Sequence, residues 1–136
     1  MKKIVINGEK FNLEDLEFLG VNNDGLLCIA IKDKEIIYKT RYNTEDEDFN
    51  LSIDRLFKYL KNNSNCEWFK FKGALIINLS NLRSYMIHSS NKNGMLNVTF
   101  NFDVKFFKLD ISDKEMKKLV KQHKRLEKEE ENVFVI

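Results

Sequence analysis

The chain has 136 residues, of which 43% are hydrophobic and 32% charged, with a formal charge of +2 and no proline. That is enough chain for one proper hydrophobic core, and its aromatic and β-branched content excludes intrinsic disorder. So small a charge does not by itself imply a nucleic-acid partner, but it is unevenly spread: residues 1–64 carry ten Lys/Arg against twelve Asp/Glu, and residues 65–136 carry thirteen against nine.

In chain order, Ile4-Val5-Ile6 and Phe11-Asn12-Leu13 flank Asn7-Gly8-Glu9, an Asn-Gly turn between short apolar runs and hence a hairpin. Leu16 to Val21 reads as a strand running into a second turn, Asn22-Asn23-Asp24-Gly25. Residues 26–32 and 35–42 are two further strands joined at Asp33-Lys34, so a meander of four to five strands precedes any helix. The acidic run Thr44-Glu45-Asp46-Glu47-Asp48 lacks the ligand spacing and central glycine of a calcium loop, and reads as a solvated loop before the positive end of a helix. That helix is expected to start at Ser52 as N-cap, with Leu51 stapled to Leu56, and to bury Ile53, Leu56, Phe57 and Leu60.

In residues 67–72, alternation sends Phe69 and Phe71 to one face and Trp68, Lys70 and Lys72 to the other. Gly73 then turns the chain into a strand over 74–78. Further strands are expected over 82–88, 96–102 and 105–110. Ser112 and Glu115 have capping-box spacing, with Ile111 and Met116 as the staple, and start a helix that buries Met116, Leu119, Val120 and His123. Its other faces carry Lys117, Lys118, Lys121, Lys124 and Arg125 before residues 127–131 reverse the sign. The terminal Val133, Phe134, Val135 and Ile136 form an apolar alternation after a charged stretch, suited to an added strand on this sheet or on that of a partner, and so to a homodimer.

Residues 8–60 and 73–120 read as two copies of one unit. Gly8…Asn12-Leu13-Glu14-Asp15-Leu16…Asp24-Gly25-Leu26-Leu27 aligns with Gly73…Asn78-Leu79-Ser80-Asn81-Leu82…Asn93-Gly94-Met95-Leu96, and each is followed by strands and a Ser-led helix. The expected fold is a pseudo-two-fold α+β domain over 1–136, an antiparallel β-meander plus one helix per repeat. Repeat one spans 1–64, repeat two 65–126, and an apolar C-terminal strand or tail 127–136.

At the level of pattern, each copy, as in Asn78-Leu79-Ser80-Asn81-Leu82 through Leu119, resembles the small FlbD-type flagellar proteins and the strand region of LytTR-type DNA-binding domains. A tandem of two such units also resembles the Whirly and PUR-repeat folds, which bind single-stranded nucleic acid on their sheets. The resemblance spans most of the chain through generic elements, and it assigns no binding residue.

Cys28 and Cys66 have neither metal-clamp nor redox spacing and read as buried apolar thiols. The apolar run at Ile4 stops at Asn7, and no stretch reaches the length of a membrane span, so a soluble cytoplasmic setting is expected. His88 and His123 have no motif that links them to either cysteine, and the five glycines form no phosphate loop; a non-enzyme without cofactor or metal is expected.

What remains is a binding surface. Single-strand binders need aromatic platforms for bases and cations along the phosphates. The candidates are Tyr38, Lys39 and Arg41; Trp68, Lys70 and Lys72; Phe106 and Lys108; and Lys117, Lys121, Lys124 and Arg125 on the last helix. The plainer alternative makes Trp68, Tyr38 and Phe106 core aromatics and the lysines edge protection. The expected function is a non-catalytic module for single-stranded nucleic acid. The competing one is a small inhibitor or regulator that binds a host protein complex, such as an anti-CRISPR-like phage or mobile-element product.

Overall fold

The structure is a computed structural model that describes residues 2–22, 24–41, 46–72, 75–90 and 94–131, with side chains for all of these except 40, 41, 89, 90 and 128–131. Among the described residues, ten strands in three antiparallel sheets and two helices form an α+β fold. The strands are β1 (Lys3–Ile6), β2 (Glu9–Asn12), β3 (Leu16–Val21), β4 (Leu26–Ile31), β5 (Ile37–Arg41), β6 (Trp68–Phe71), β7 (Leu75–Asn78), β8 (Ser84–Ser90), β9 (Met95–Asn101) and β10 (Phe106–Ser112). The helices are α1 (Glu47–Asn63) and α2 (Asp113–Glu131).

The Asn-Gly hairpin forms as expected: Asn7 (φ 52°) and Gly8 (φ 81°) both lie in the left-handed region that a two-residue turn matched to strand twist requires. The chain Asn12-Leu13-Glu14-Asp15-Leu16 does not continue that strand. It forms a 3-10 turn over Leu13–Asp15, and Asn78 to Leu82 forms the same turn over Leu79–Asn81, each closed by the final leucine's N–H on the first leucine's carbonyl. The two turns meet, since Asn78 Nδ2 donates to Leu16 O (2.9 Å) and Asn81 Nδ2 to Glu14 O (2.8 Å).

A five-stranded sheet in the order β5-β4-β3-β7-β6 forms the middle layer, and its central strands are buried on both faces. One face carries Leu19, Val21, Ile29, Ile31 and Ile76 against Ile6 and Phe11 of the β1-β2 hairpin and Phe49, Ile53 and Leu60 of α1. The other carries Phe18, Ala30, Leu75 and Ile77 against Val98, Phe100 and Phe107 of the β10-β9-β8 sheet and Met116 and Leu119 of α2. Ladder pairing does not divide at the boundary between the expected repeats: β3 pairs with β7, so the hairpin of the second half completes the sheet begun by the first. Both halves nonetheless follow one element order, two strands, a 3-10 turn, three strands and a helix.

Several expected boundaries are corrected. Helix α1 begins five residues before Ser52: its N-cap is Asp46, whose side chain accepts from Asp48 N (2.9 Å) and Phe49 N (3.5 Å), and Ser52 lies inside the helix with its hydroxyl donating to Asp48 O. Asp46, Glu47 and Asp48 of the acidic run thus supply the cap and first turn, where carboxylates meet the positive end of the helix dipole, Thr44 and Glu45 lie outside the described residues, and Leu51 is exposed and forms no staple. The Ser112–Glu115 cap is present, with Ser112 Oγ accepting from Glu115 N at 3.2 Å. Its carboxylate also accepts from the Ser112 hydroxyl and, at 2.8 Å, from Lys72 N, tying α2 to the end of β6. Residues 127–131, expected in the tail, belong to α2. Gly73, Ala74 and the segment from Val133 to Ile136 lie outside the described residues. No helix among the described residues is long and apolar enough to cross a membrane.

Candidate functional site

The edge strand β6 lies between the two helices. Its even residues face α1, where Trp68 is buried and Lys70 reaches Asp54 at 2.8 Å; Phe69 and Phe71 pack on the side of α2, which carries Met116 and Leu119 into the same cluster. The alternation expected over 67–72 is therefore present, but Trp68 is only 3% exposed and its indole N–H donates to Ser64 Oγ (2.7 Å) at the C-terminus of α1. Buried and hydrogen-bonded, it is a core aromatic and offers no platform for a base.

A groove of about 500 Å³ follows this edge, lined by Phe57 and Lys61 of α1, Phe69 and Lys70 of β6, and Lys118, Gln122 and Arg125 of α2. Helical spacing places each contributor: Lys61 lies one turn after Phe57, with its ammonium 5.2 Å from the ring centroid, and Lys118, Gln122 and Arg125 repeat at intervals of four and three along one stripe. Four cations from three elements converge there. Among the described residues Glu67 is the one carboxylate in the lining, and Gln122 Nε2 donates to it at 2.9 Å and to Trp68 O at 3.4 Å.

Of the predicted residues, Lys70 and Arg125 meet in this groove, and the buried Trp68 forms part of its wall. Lys117, Lys121 and Lys124 form a second stripe on the opposite flank of α2, beside Ile87, Leu96 and Val120. Lys118, Lys121, Lys124 and Arg125 together line the outer surface that joins the two stripes. Lys117 is held by Asp113 at 2.9 Å, and that carboxylate raises its pKa above the usual lysine value. Lys72 is exposed at the end of β6. Sequence reasoning missed Lys61, Phe57, Phe69 and Lys118 as members of one site; the Phe57–Lys61 and Lys118–Arg125 spacings were legible, but their meeting across β6 was not.

The remaining candidates sit at the other edge of the middle sheet. Tyr38 on β5 and Phe106 and Lys108 on β10 line one cleft of about 370 Å³, with Phe18, Cys28, Ile36 and Phe107 at its walls. Tyr38 and Phe106 are 57% and 65% exposed, so these two are not core aromatics. Lys39 follows Tyr38 and points to the opposite face of β5, away from the cleft; the side chain of Arg41 lies outside the described residues.

A third cleft, bounded by Lys32, Arg83, Asp103, His123 and Glu127, mixes both signs of charge and favours no anion. His123 stands edge-on to Tyr85 at 5.7 Å and reaches Glu127 at 3.4 Å, without a nucleophile in that pair. Among the described residues, no three His, Cys, Asp or Glu side chains are grouped so that they could hold a metal ion.

No family model matches the chain, and no curated protein matches it in sequence. Among solved structures it is similar to the LytTr DNA-binding domain of a response regulator from Bacillus cereus, with a TM-score of 0.48 and 6% identity over 88% of this chain and 93% of that one.

Proposed function

We propose that the chain is a non-catalytic module that binds nucleic acid, single-stranded in the first place, along the groove between α1, β6 and α2. The observation that carries this reading is the convergence of Lys61, Lys70, Lys118 and Arg125 on one groove with Phe57 and Phe69 between them. Asp54 holds Lys70 in the free protein, so the groove's excess positive charge comes chiefly from Lys61, Lys118 and Arg125, and a polyanion that threads them releases its counterions. The aromatic edges beside the cations favour unpaired bases, because a duplex keeps its ring faces stacked inside.

The test is a fluorescence-anisotropy titration at low ionic strength with labelled single-stranded and duplex oligonucleotides of equal length, for the parent chain and a Lys118→Glu/Arg125→Glu variant. The parent is expected to prefer the single strand, with log affinity falling against log salt at a slope of about −2 to −3 for three to four phosphate contacts. The variant is expected to lose most of that binding while keeping its fold, since both side chains are exposed. Absence of binding at low salt, or binding that ignores the double charge reversal, overturns the proposal.

A further inference from the structure

The cleft that unites Tyr38 with Phe106 lies at the opposite edge of the five-stranded sheet from the basic groove, since β5 and β6 are its outermost strands. Four strand spacings, about 19 Å, separate β5 from β6, and the cleft reaches inward from β5 as far as Phe18 on β3. The cleft is therefore a second site. Its walls are mostly apolar, with Asn22 as a polar member: Phe18 is fully buried, Phe107 is 7% exposed, and burial raises the Cys28 thiol above its ordinary pKa. Lys105 contributes only its aliphatic stem, because its amine is turned inward to Glu17 and Ile31 O. Among the described residues that line the cleft, the remaining cation is that of Lys108. It stands two residues after Phe106 with the buried Phe107 between them, so ring and ammonium share the outer face of β10, about 7 Å apart at the backbone.

We infer that this cleft takes one unstacked nucleobase, its ring against Tyr38 and Phe106 and its phosphate on Lys108. A volume of about 370 Å³ suits a single small ligand better than a helix or a second domain. The exposed apolar side chains at its mouth are two aromatic rings and Val104. Ring faces accept any base, whereas Lys108 answers the charge that every nucleotide carries next to its base. Self-association through the same mouth is poorly supported. The exposed parts of three side chains amount to a few hundred Å² per copy, and a pair of copies would bury well under the roughly 1,200 Å² of a stable interface.

For its biological ligand this inference rests on the nucleic-acid reading above, but mononucleotides are too small to need the basic groove and test the cleft alone. Backbone and aromatic NMR spectra of the full chain would be recorded during titration with adenosine and uridine monophosphate. Saturable shifts confined to Tyr38, Phe106, Lys108 and their neighbours are expected. Tyr38→Ala and Phe106→Ala, both at exposed positions and checked for an unchanged melting temperature, should weaken binding roughly five- to hundred-fold. Phe106→Trp should retain binding, and Lys118→Glu/Arg125→Glu should leave mononucleotide binding unchanged. Absence of saturable shifts, or shifts at the groove instead, overturns the inference whatever the oligonucleotide titrations show. A nuclease-resistant protein that co-elutes with the parent and is lost with Phe106→Ala would overturn it in favour of a peptide in the cleft. Oligonucleotide binding abolished by the Lys118/Arg125 reversal with no mononucleotide response would leave the groove standing without the cleft.

Discussion

Glu17 and Lys105, 88 positions apart, form an ion pair inside the protein: Nζ stands 3.1 Å from Oε1, and the two side chains are 3% and 6% exposed. The pair exists because β3 carries a bulge. Leu16 pairs with Ile31 and Phe18 with Ala30, leaving Glu17 as the extra residue between them, and the same Lys105 amine donates to Ile31 O at 2.8 Å. Glu17 is thereby aimed at the loop between β9 and β10, joining the middle sheet to the three-stranded one.

Removing either partner leaves a buried charge unpaired. Glu17→Gln or Lys105→Met alone is expected to cost about 3–5 kcal/mol, whereas Glu17→Leu with Lys105→Met should restore most of that loss. Urea denaturation of the two single variants and the double variant checks this. A loss below about 1 kcal/mol in both singles would mean that water reaches the pair.

Gly20 of β3 faces the core shared by the middle and three-stranded sheets. A Cβ added there would lie 2.5 Å from Leu75 Cδ1 and 3.3 Å from Phe107 Cζ, both in the core. Gly20→Ala is therefore expected to destabilise by about 1–3 kcal/mol through overpacking, although its backbone needs no left-handed φ. Gly20→Ala with Leu75→Val should recover part of the loss in thermal melts. If alanine alone is neutral or stabilising, the contact is looser than the geometry states.

Asp54 competes with a polyanion for Lys70. The pair is partly exposed and contributes little to stability, about 0.2–1 kcal/mol, so Asp54→Asn should fold normally. It should also bind oligonucleotide more tightly, by a few-fold at low salt, with the gain fading as salt rises. Unchanged or weaker binding would place Lys70 outside the contact surface.

Cys28 is buried as expected, whereas Cys66 is only half-buried beside the groove; desolvation raises each thiol above the ordinary 9.0, and beside Cys66 the Asn78 side chain opposes that shift and the charge of Glu14 adds to it. The unfolded chain ionises its thiols near 9.0 while the folded chain keeps them protonated, so above that pH the unfolded state binds fewer protons. Their contribution to stability is complete below pH 9 and falls as pH rises beyond it. Urea midpoints should drop from pH 8.5 to pH 10 (on the order of the thiol range), and less so in Cys28→Ala/Cys66→Ala. Native thiols that react with iodoacetamide at the unfolded rate at pH 8 (roughly neutral relative to thiol ionisation) would contradict this protection.

What the sequence determined by itself was local. Asn7-Gly8 required the first hairpin because two consecutive left-handed residues suit only that turn, Ser112 and Glu115 announced α2, and alternation assigned Trp68 and Lys70 to one face of β6 and Phe69 and Phe71 to the other. Where an alternative signal lay nearby it misled: Ser52 has the right chemistry for an N-cap, yet Asp46 brings Phe49 into the core and so starts α1 earlier. Tertiary structure decided everything that joins distant positions. Alternation alone puts Leu16 and Phe18 on one face, and only the bulge at Glu17 sends them into opposite cores. A strand pattern does not name its neighbour, so the pairing of β3 with β7 became visible only once both faces of the middle sheet had to be covered. The same limit governs the candidate sites. Tyr38 and Phe106 were legible as aromatics and Lys61, Lys70, Lys118 and Arg125 as cations, but a cleft or groove is a distance between elements, and distances are set by how the layers pack.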